Sequence, residues 1–229
     1  MKLFVSLLFL TLSMSLRAQE TVKPKSFFND GDTYINLNLS LLLDSKLIEV
    51  VGGNTPTSGK TEGELAKDLG FSAAIGRSFP ISDKYGAILA QAEFIRHPTK
   101  DVESFDSFEF ENEFNTTAYM ANFHWLIPVK TFDAFIGGGL GATKLTLKTT
   151  PINNPSFPNF EQSSNGFAYQ FQTGVIVPIG KIFIVNAGYR IFIADNINSN
   201  VTDPESGEKI NISWDLTTHR FEIGVGVKF

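Results

Sequence analysis

Apolar and polar residues alternate one for one through much of this chain. At its far end Thr217, His219, Phe221, Ile223, Val225, Val227 and Phe229 interleave with Arg220, Glu222, Gly224, Gly226 and Lys228. Alternation this strict predicts a strand whose two faces meet different surroundings. The pattern recurs seven times upstream. Ile35, Leu37, Leu39 and Leu41 alternate with Asn36, Asn38 and Ser40; Leu69, Phe71, Ala73, Ile75 and Phe79 with Gly70, Ser72, Ala74, Gly76 and Ser78. Ile88, Ala90, Ala92 and Phe94 oppose Gln91 and Glu93, and Tyr119 through Ile127 oppose Asn122 and His124. Later, Phe167 through Val177 oppose Gln170, Gln172 and Gly174, and Phe183 through Ile193 oppose Asn186, Gly188 and Arg190. The segment from Ala134 to Leu147 is so rich in glycine that its faces are not assignable. Eight strands result, each with about the ten alternating residues a tilted transmembrane strand needs.

The connections alternate in length. Short turns at Pro80-Ile81-Ser82-Asp83, Pro128-Val129-Lys130-Thr131 and Pro178-Ile179-Gly180-Lys181 join strands two to three, four to five and six to seven. The other four, from Asp44 to Lys67, His97 to Glu113, Lys148 to Gly166 and Asp195 to Ser213, read as long loops. Short turns at one end and long loops at the other are expected of an outer-membrane barrel, with both termini then in the periplasm. Aromatics gather near the strand ends: Phe79, Trp125, Phe132, Phe183 and Phe229 toward the turns, Phe94, Phe167, Tyr169 and Trp214 toward the loops. The prediction is an all-β, eight-stranded antiparallel up-and-down transmembrane barrel.

Composition narrows the alternatives. Met1-Lys2, the apolar run Leu3 to Leu12 and the small Ala18 form a secretory signal peptide over 1–18, too short to span a bilayer. Its removal takes away Lys2 and Arg17 and moves the net charge from −5 to −7, which argues against a nucleic-acid partner. Residues 19–31 read as a polar periplasmic leader with no packing role, leaving 32–229 for the barrel. The absence of cysteine removes disulfides, thiolate metal sites and cysteine nucleophiles. A soluble lipocalin would turn its apolar residues inward. Here the polar set is mostly Gly, Ser, Asn and Gln, small enough for a narrow lumen.

The chain resembles the eight-stranded OmpA/OmpX-like and opacity-type surface-antigen barrels of the Gram-negative outer membrane. The resemblance rests on Phe132 to Gly141 (FDAFIGGGLG), Asn186 to Arg190 (NAGYR) and the closing His219 to Phe229 (HRFEIGVGVKF). It implies that Phe229 is the terminal signal read by the barrel-assembly machinery, and that the neighbours are outer-membrane lipid and lipopolysaccharide. Its motifs are architectural and shared by proteins with different tasks. The reading is a monomer whose external loops meet a surface protein or host ligand, with a narrow porin-like channel as the alternative. No cofactor is implied.

Carried through the strands, the inward phase places Glu93, Arg190, Arg220 and Glu222 in the lumen. Buried charges must pair, so these four predict a salt-bridge network that plugs the barrel, with Arg190 and Glu222 as its central pair. No catalytic residue emerges. His97 falls in a loop, His124 faces inward, and His219 lies near Asp215 with Thr217 and Thr218 between. That grouping hints at an outer-leaflet lipid hydrolase, yet lacks the Ser and His pair of the lipid A deacylases, and an interfacial histidine explains it. Gly139-Leu140-Gly141 lacks the remainder of a nucleotide loop. The acidic, aromatic stretch Asp101 to Phe114 alternates too, predicting that strands three and four run on as a protruding hairpin. Its carboxylates match no calcium loop, and no metal site is assigned.

Overall fold

In the computed structural model the described residues are 27–28, 31–52, 60–63, 68–105, 108–152, 159–202 and 209–229. The signal peptide over 1–18, residues 19–26 and residues 153–158 lie outside them. Among the described residues there is no helix. Eight long strands follow in order: β1 (Thr33–Gly52), β3 (Leu69–Ser82), β4 (Gly86–Phe105), β5 (Phe108–Val129), β6 (Phe132–Pro151), β7 (Phe160–Ile179), β8 (Phe183–Thr202) and β9 (Lys209–Lys228). Each pairs antiparallel with its sequence neighbour, and β1 pairs with β9, so the sheet closes on itself. A four-residue strand, β2 (Lys60–Gly63), folds back on Leu47–Val50 of β1. Closure leaves the ring without an open edge, the condition for a sheet to sit in lipid.

The phase follows the sequence. Ile35, Leu37, Leu39 and Leu41 point outward, with Leu39 66% exposed, while Asn36, Asn38 and Ser40 are buried inside. Leu69, Phe71, Ile75, Phe123, Ile223 and Val225 continue the apolar outer wall. A soluble sheet would not leave so large an apolar surface uncovered; a bilayer covers it. The lipocalin phase is thereby excluded. On β6 the faces left open by its glycines are now set: Asp133, Thr143 and Leu145 are buried inside, Ile136 and Leu140 exposed outside.

Inward glycines make room for large lumen side chains. A Cβ on Gly70 would collide with the His97 ring, one on Gly139 with Asn122, and one on Gly224 with Asn38 and Asn186. At the short turn before β4, Gly86 has φ +76°, and a Cβ there would also run into the Leu126 carbonyl oxygen.

Four expectations are corrected. The β4–β5 hairpin pairs out to Phe105 and Phe108, as its alternation predicts, but the other long connections are also largely strand: β5 and β6 pair out to Phe110 and Pro151, and β8 and β9 out to Thr202 and Lys209. His97 belongs to β4 and is buried in the lumen, with Nδ1 3.3 Å from Ser40 Oγ. Trp214 is not an outer girdle residue, because it too is buried. The leader packs as well: Phe28 is 0% exposed inside the short-turn end, against Tyr34 with ring centroids 5.8 Å apart. Phe27 is held from both sides. Its N–H donates to Asp133 Oδ2 at 3.0 Å, and its carbonyl accepts from Lys228 Nζ at 2.9 Å.

Candidate functional site

The side chains inside the barrel form three layers. At the long-hairpin end Ile95, Met120, Leu145, Phe192, Ile197, Trp214 and Leu216 pack into one apolar cluster. At the short-turn end Phe28, Tyr34, Leu89, Leu126, Ile176 and Ile184 form another. A polar layer lies between, and each layer follows from the inward position its residues hold on their strands.

Arg190, on β8 and 1% exposed, is the centre of the polar layer. Its Nη2 lies 2.5 Å from Glu93 Oε1 on β4 and 3.0 Å from Glu222 Oε2 on β9. Its Nη1 donates to Gln170 Oε1 at 3.0 Å. Gln170 Nε2 donates in turn to Glu93 Oε2 at 3.0 Å and to Asn122 Oδ1 at 2.6 Å. Asn122 Nδ2 closes this circuit on Glu93 Oε2 at 2.8 Å. On the other side the Gln172 amide oxygen accepts from Arg190 Nε at 2.9 Å while its nitrogen donates to His124 Nε2. Three of the four predicted lumen charges therefore meet at one guanidinium. The sequence pairs Arg190 with Glu222, and Glu93 is an additional partner at shorter distance.

Arg220 stands apart. It is buried, its Nε donates to Thr218 Oγ1 at 3.2 Å, and among the described residues no carboxylate lies within ion-pair distance of it. Below the guanidinium an amide ladder continues toward the short turns. Asn36 and Asn186 both donate to Asn38 Oδ1 at 2.8 Å, and Asn38 donates to Ser72 Oγ at 3.0 Å. The free space here is a cavity of about 40 Å³ among Tyr34, Gln91, Glu93, His124, Arg190 and Glu222. It has room for about one or two waters and is bounded by an apolar layer at the short-turn end.

His219 faces outward. Its Nδ1 lies 2.5 Å from the Tyr189 hydroxyl on β8, with ring centroids 6.0 Å apart. Its hydrogen bond thus goes to a neighbouring-strand phenol rather than to Asp215 or the intervening threonines. The sequence does not reveal the glutamine and asparagine relay around Arg190, because amides alternating with apolar residues read only as a polar face. Among the described residues no group of three or more acidic or histidine side chains is arranged to hold a metal ion.

No protein-family model and no curated protein matches the chain. Solved structures do. The outer membrane protein OprG from Pseudomonas aeruginosa is 13% identical with a TM-score of 0.54, the match covering 90% of this chain and 99% of that one. The outer membrane protease OmpT from Escherichia coli is 8% identical with a TM-score of 0.52, covering 93% and 99%. Ail, the attachment invasion locus protein of Yersinia pestis, is 14% identical at a TM-score of 0.44, covering 87% and 99%. The first two likenesses, the apolar outer wall and the closed ring of eight up-and-down strands converge: this chain has the fold of the bacterial outer-membrane β-barrels.

Proposed function

We propose that the protein is a non-enzymatic barrel of the outer membrane that works through its outer surface and its protruding hairpins rather than through its lumen. Both termini lie in the periplasm, Phe229 serves as the assembly signal, and the hairpin rim meets a surface protein or host ligand. One observation carries the reading: the lumen is filled at three successive levels, apolar, ionic and apolar, around the Arg190 centre. An eight-stranded ring is only wide enough for side chains, and the large inward side chains, seated over inward glycines, leave a cavity of only about 40 Å³ in the polar layer. A conducting path would have to break two buried ion pairs and dislodge an apolar layer at each end.

What remains accessible is the rim. β4 and β5 extend well past the aromatic girdle and carry an exposed ion pair, Lys100 Nζ to Glu111 Oε1 at 2.6 Å. Such a hairpin presents charged side chains and backbone to a partner.

Planar-bilayer recording of the purified protein tests the reading. The expected trace is flat, whereas reproducible unitary conductance steps from a folded, heat-modifiable sample would favour the narrow channel. Proteolysis of intact cells tests the orientation, since the β4–β5 tip should be cut from outside while the barrel persists.

A further inference from the structure

Strand register arranges the outward residues beyond the girdle into rows. In the outer row Lys100 stands opposite Glu113, Glu113 opposite Lys148, and Lys148 opposite Glu161. Every cation there has an acid beside it. Four residues closer to the membrane along β4 and β6 the pattern changes. Arg96 stands opposite Thr117, Thr117 opposite Lys144, and Lys144 opposite Asn165. The cations of this row are exposed and have only neutral neighbours. Among the described residues neither Arg96 nor Lys144 makes an ion pair. The two strands that carry them are separated by β5 alone, which sets their backbones about 10 Å apart.

Beneath this row the wall becomes aromatic and then small. Phe71, Phe94 and Tyr119 form a ladder, with ring centroids 6.1 and 5.4 Å apart. Below Phe94 and Tyr119, Ala92 stands opposite Ala121. With Ala73 and Leu140 they line an outward groove of about 650 Å³ that is almost wholly apolar. One side of the barrel therefore offers uncompensated positive charge at headgroup depth, a hydroxyl and an amide between and beside the cations, and a shallow, open apolar groove in the hydrocarbon zone. Aromatic girdles mark the interface, and anionic headgroups supply the charge that such cations attract.

We propose that Arg96 and Lys144 hold the phosphates of an outer-leaflet glycolipid of the lipid A class, one acyl chain of which lies in the groove over Ala92 and Ala121. The contrast between the rows selects an anionic occupant: cations that served only to solvate the rim would be matched, as Lys100 and Lys148 are. Two cations spaced two strands apart select a headgroup with more than one phosphate. The proposal rests on the orientation given under Proposed function, which puts this end of the barrel in the outer leaflet.

The test is native mass spectrometry of the whole protein in detergent, offered bisphosphorylated lipid A, the same lipid without phosphates, or phosphatidylglycerol. The wild type should retain one bisphosphorylated lipid A. R96Q/K144Q should lower that retention by about tenfold or more, and K100Q/K148Q, which removes equal charge from the outer row, by less than roughly twofold. Ala121→Trp, which fills the groove without changing charge, should weaken retention as well. Equal loss in the two double variants overturns the site, as does undiminished binding by R96Q/K144Q. Retention of phosphatidylglycerol at the level of lipid A overturns the choice of lipid. Heat-modifiable gel mobility is measured on every sample first. A wild type without it fails the barrel reading itself, while a folded wild type that retains no lipid A refutes this site alone.

Discussion

Replacing Arg190 by Met removes the one cation shared by Glu93 and Glu222 while keeping a side chain of similar length. Both carboxylates are buried, and the guanidinium that joins them is within 3.0 Å of each. Breaking a buried ion pair by deleting one partner costs about 3–5 kcal/mol, because the other charge stays buried without compensation. Here two like charges are left facing one space, so the upper part of that range applies. Gln170 and Gln172 lose the donor they accept from as well. For a chain of this size about 1 kcal/mol moves a midpoint by about 2–4 °C, which converts to a fall of roughly 10–20 °C. The assay is the temperature at which the folded band is lost on a gel without prior boiling. The triple variant E93Q/R190M/E222Q removes every charge of the group and should recover at least half of the loss, since a neutral filling of similar volume is tolerated better than half an ion pair. An R190M midpoint within about 2 °C of wild type, or a triple variant no more stable than R190M, would refute the claim that this guanidinium holds the lumen together.

Three further outcomes follow from the same geometry. Phe28→Ala, which empties the short-turn end of the lumen, should cost about 3 kcal/mol, the low end for a buried Phe, and an unchanged melting midpoint would show that the segment does not plug the barrel. Gly224→Val drives methyl groups into Asn38 and Asn186 and should reduce the folded yield on transfer from urea to micelles, whereas the outward Ala142→Val should not; equal yields would count against tight lumen packing. At the hairpin rim, Lys100 holds the Glu111 carboxyl below its ordinary value, through a hydrogen bond first and its charge second, and Glu111 raises Lys100 in the same way. The pair's contribution is thus complete at neutral pH. It is lost as pH falls through the lowered value of Glu111, or as it rises through the raised value of Lys100. Carboxyl NMR titration should show the Glu111 midpoint moving up in K100Q, and an unmoved midpoint would mean that the contact is absent in solution.

The transmembrane portions of the strands could be read because lipid on one side and a polar lumen on the other impose a period of two. Ile35 to Leu41 and Phe221 to Phe229 carry it undiluted. Beyond the membrane both faces meet water, the alternation fades, and pairing rests on backbone hydrogen bonds that composition does not report. Lys148 to Thr150 and Glu161 to Asn165 therefore read as loop. His97 looked like a loop residue because Pro98 follows it, yet Pro98 faces outward in β4 opposite Asn115, where the ladder tolerates its missing donor. The misplacement of Trp214 has a different cause. Although the register of β1 and β8 shifts against β9 between Leu42 and Asp44 and between Ala194 and Ile197, the alternation of β9 itself is unbroken, with Trp214, Leu216, Thr218 and Arg220 all buried. The inward phase of Arg220 already places Trp214 inside, and the girdle reading puts its nearness to the strand end in place of its parity. Among the site residues, the charges were legible because four ionisable groups on inward positions are rare. The hub geometry was not, since register between non-adjacent strands sets which of them meet.

The join between β1 and β9 differs from every other long ladder in the ring. The other seven link long strands that follow one another along the chain and can form as local hairpins, whereas this one brings Asp32 to within 3.0 Å of Lys228, a separation of 196 residues. Its loop-closure entropy must be met before any of its hydrogen bonds return free energy. Until it forms, β1 and β9 each carry a row of unpaired amides that hydrocarbon does not tolerate. Folding of this chain in a membrane is therefore governed by one late, long-range event, and a barrel open by a single seam is the species that a cell has to shield.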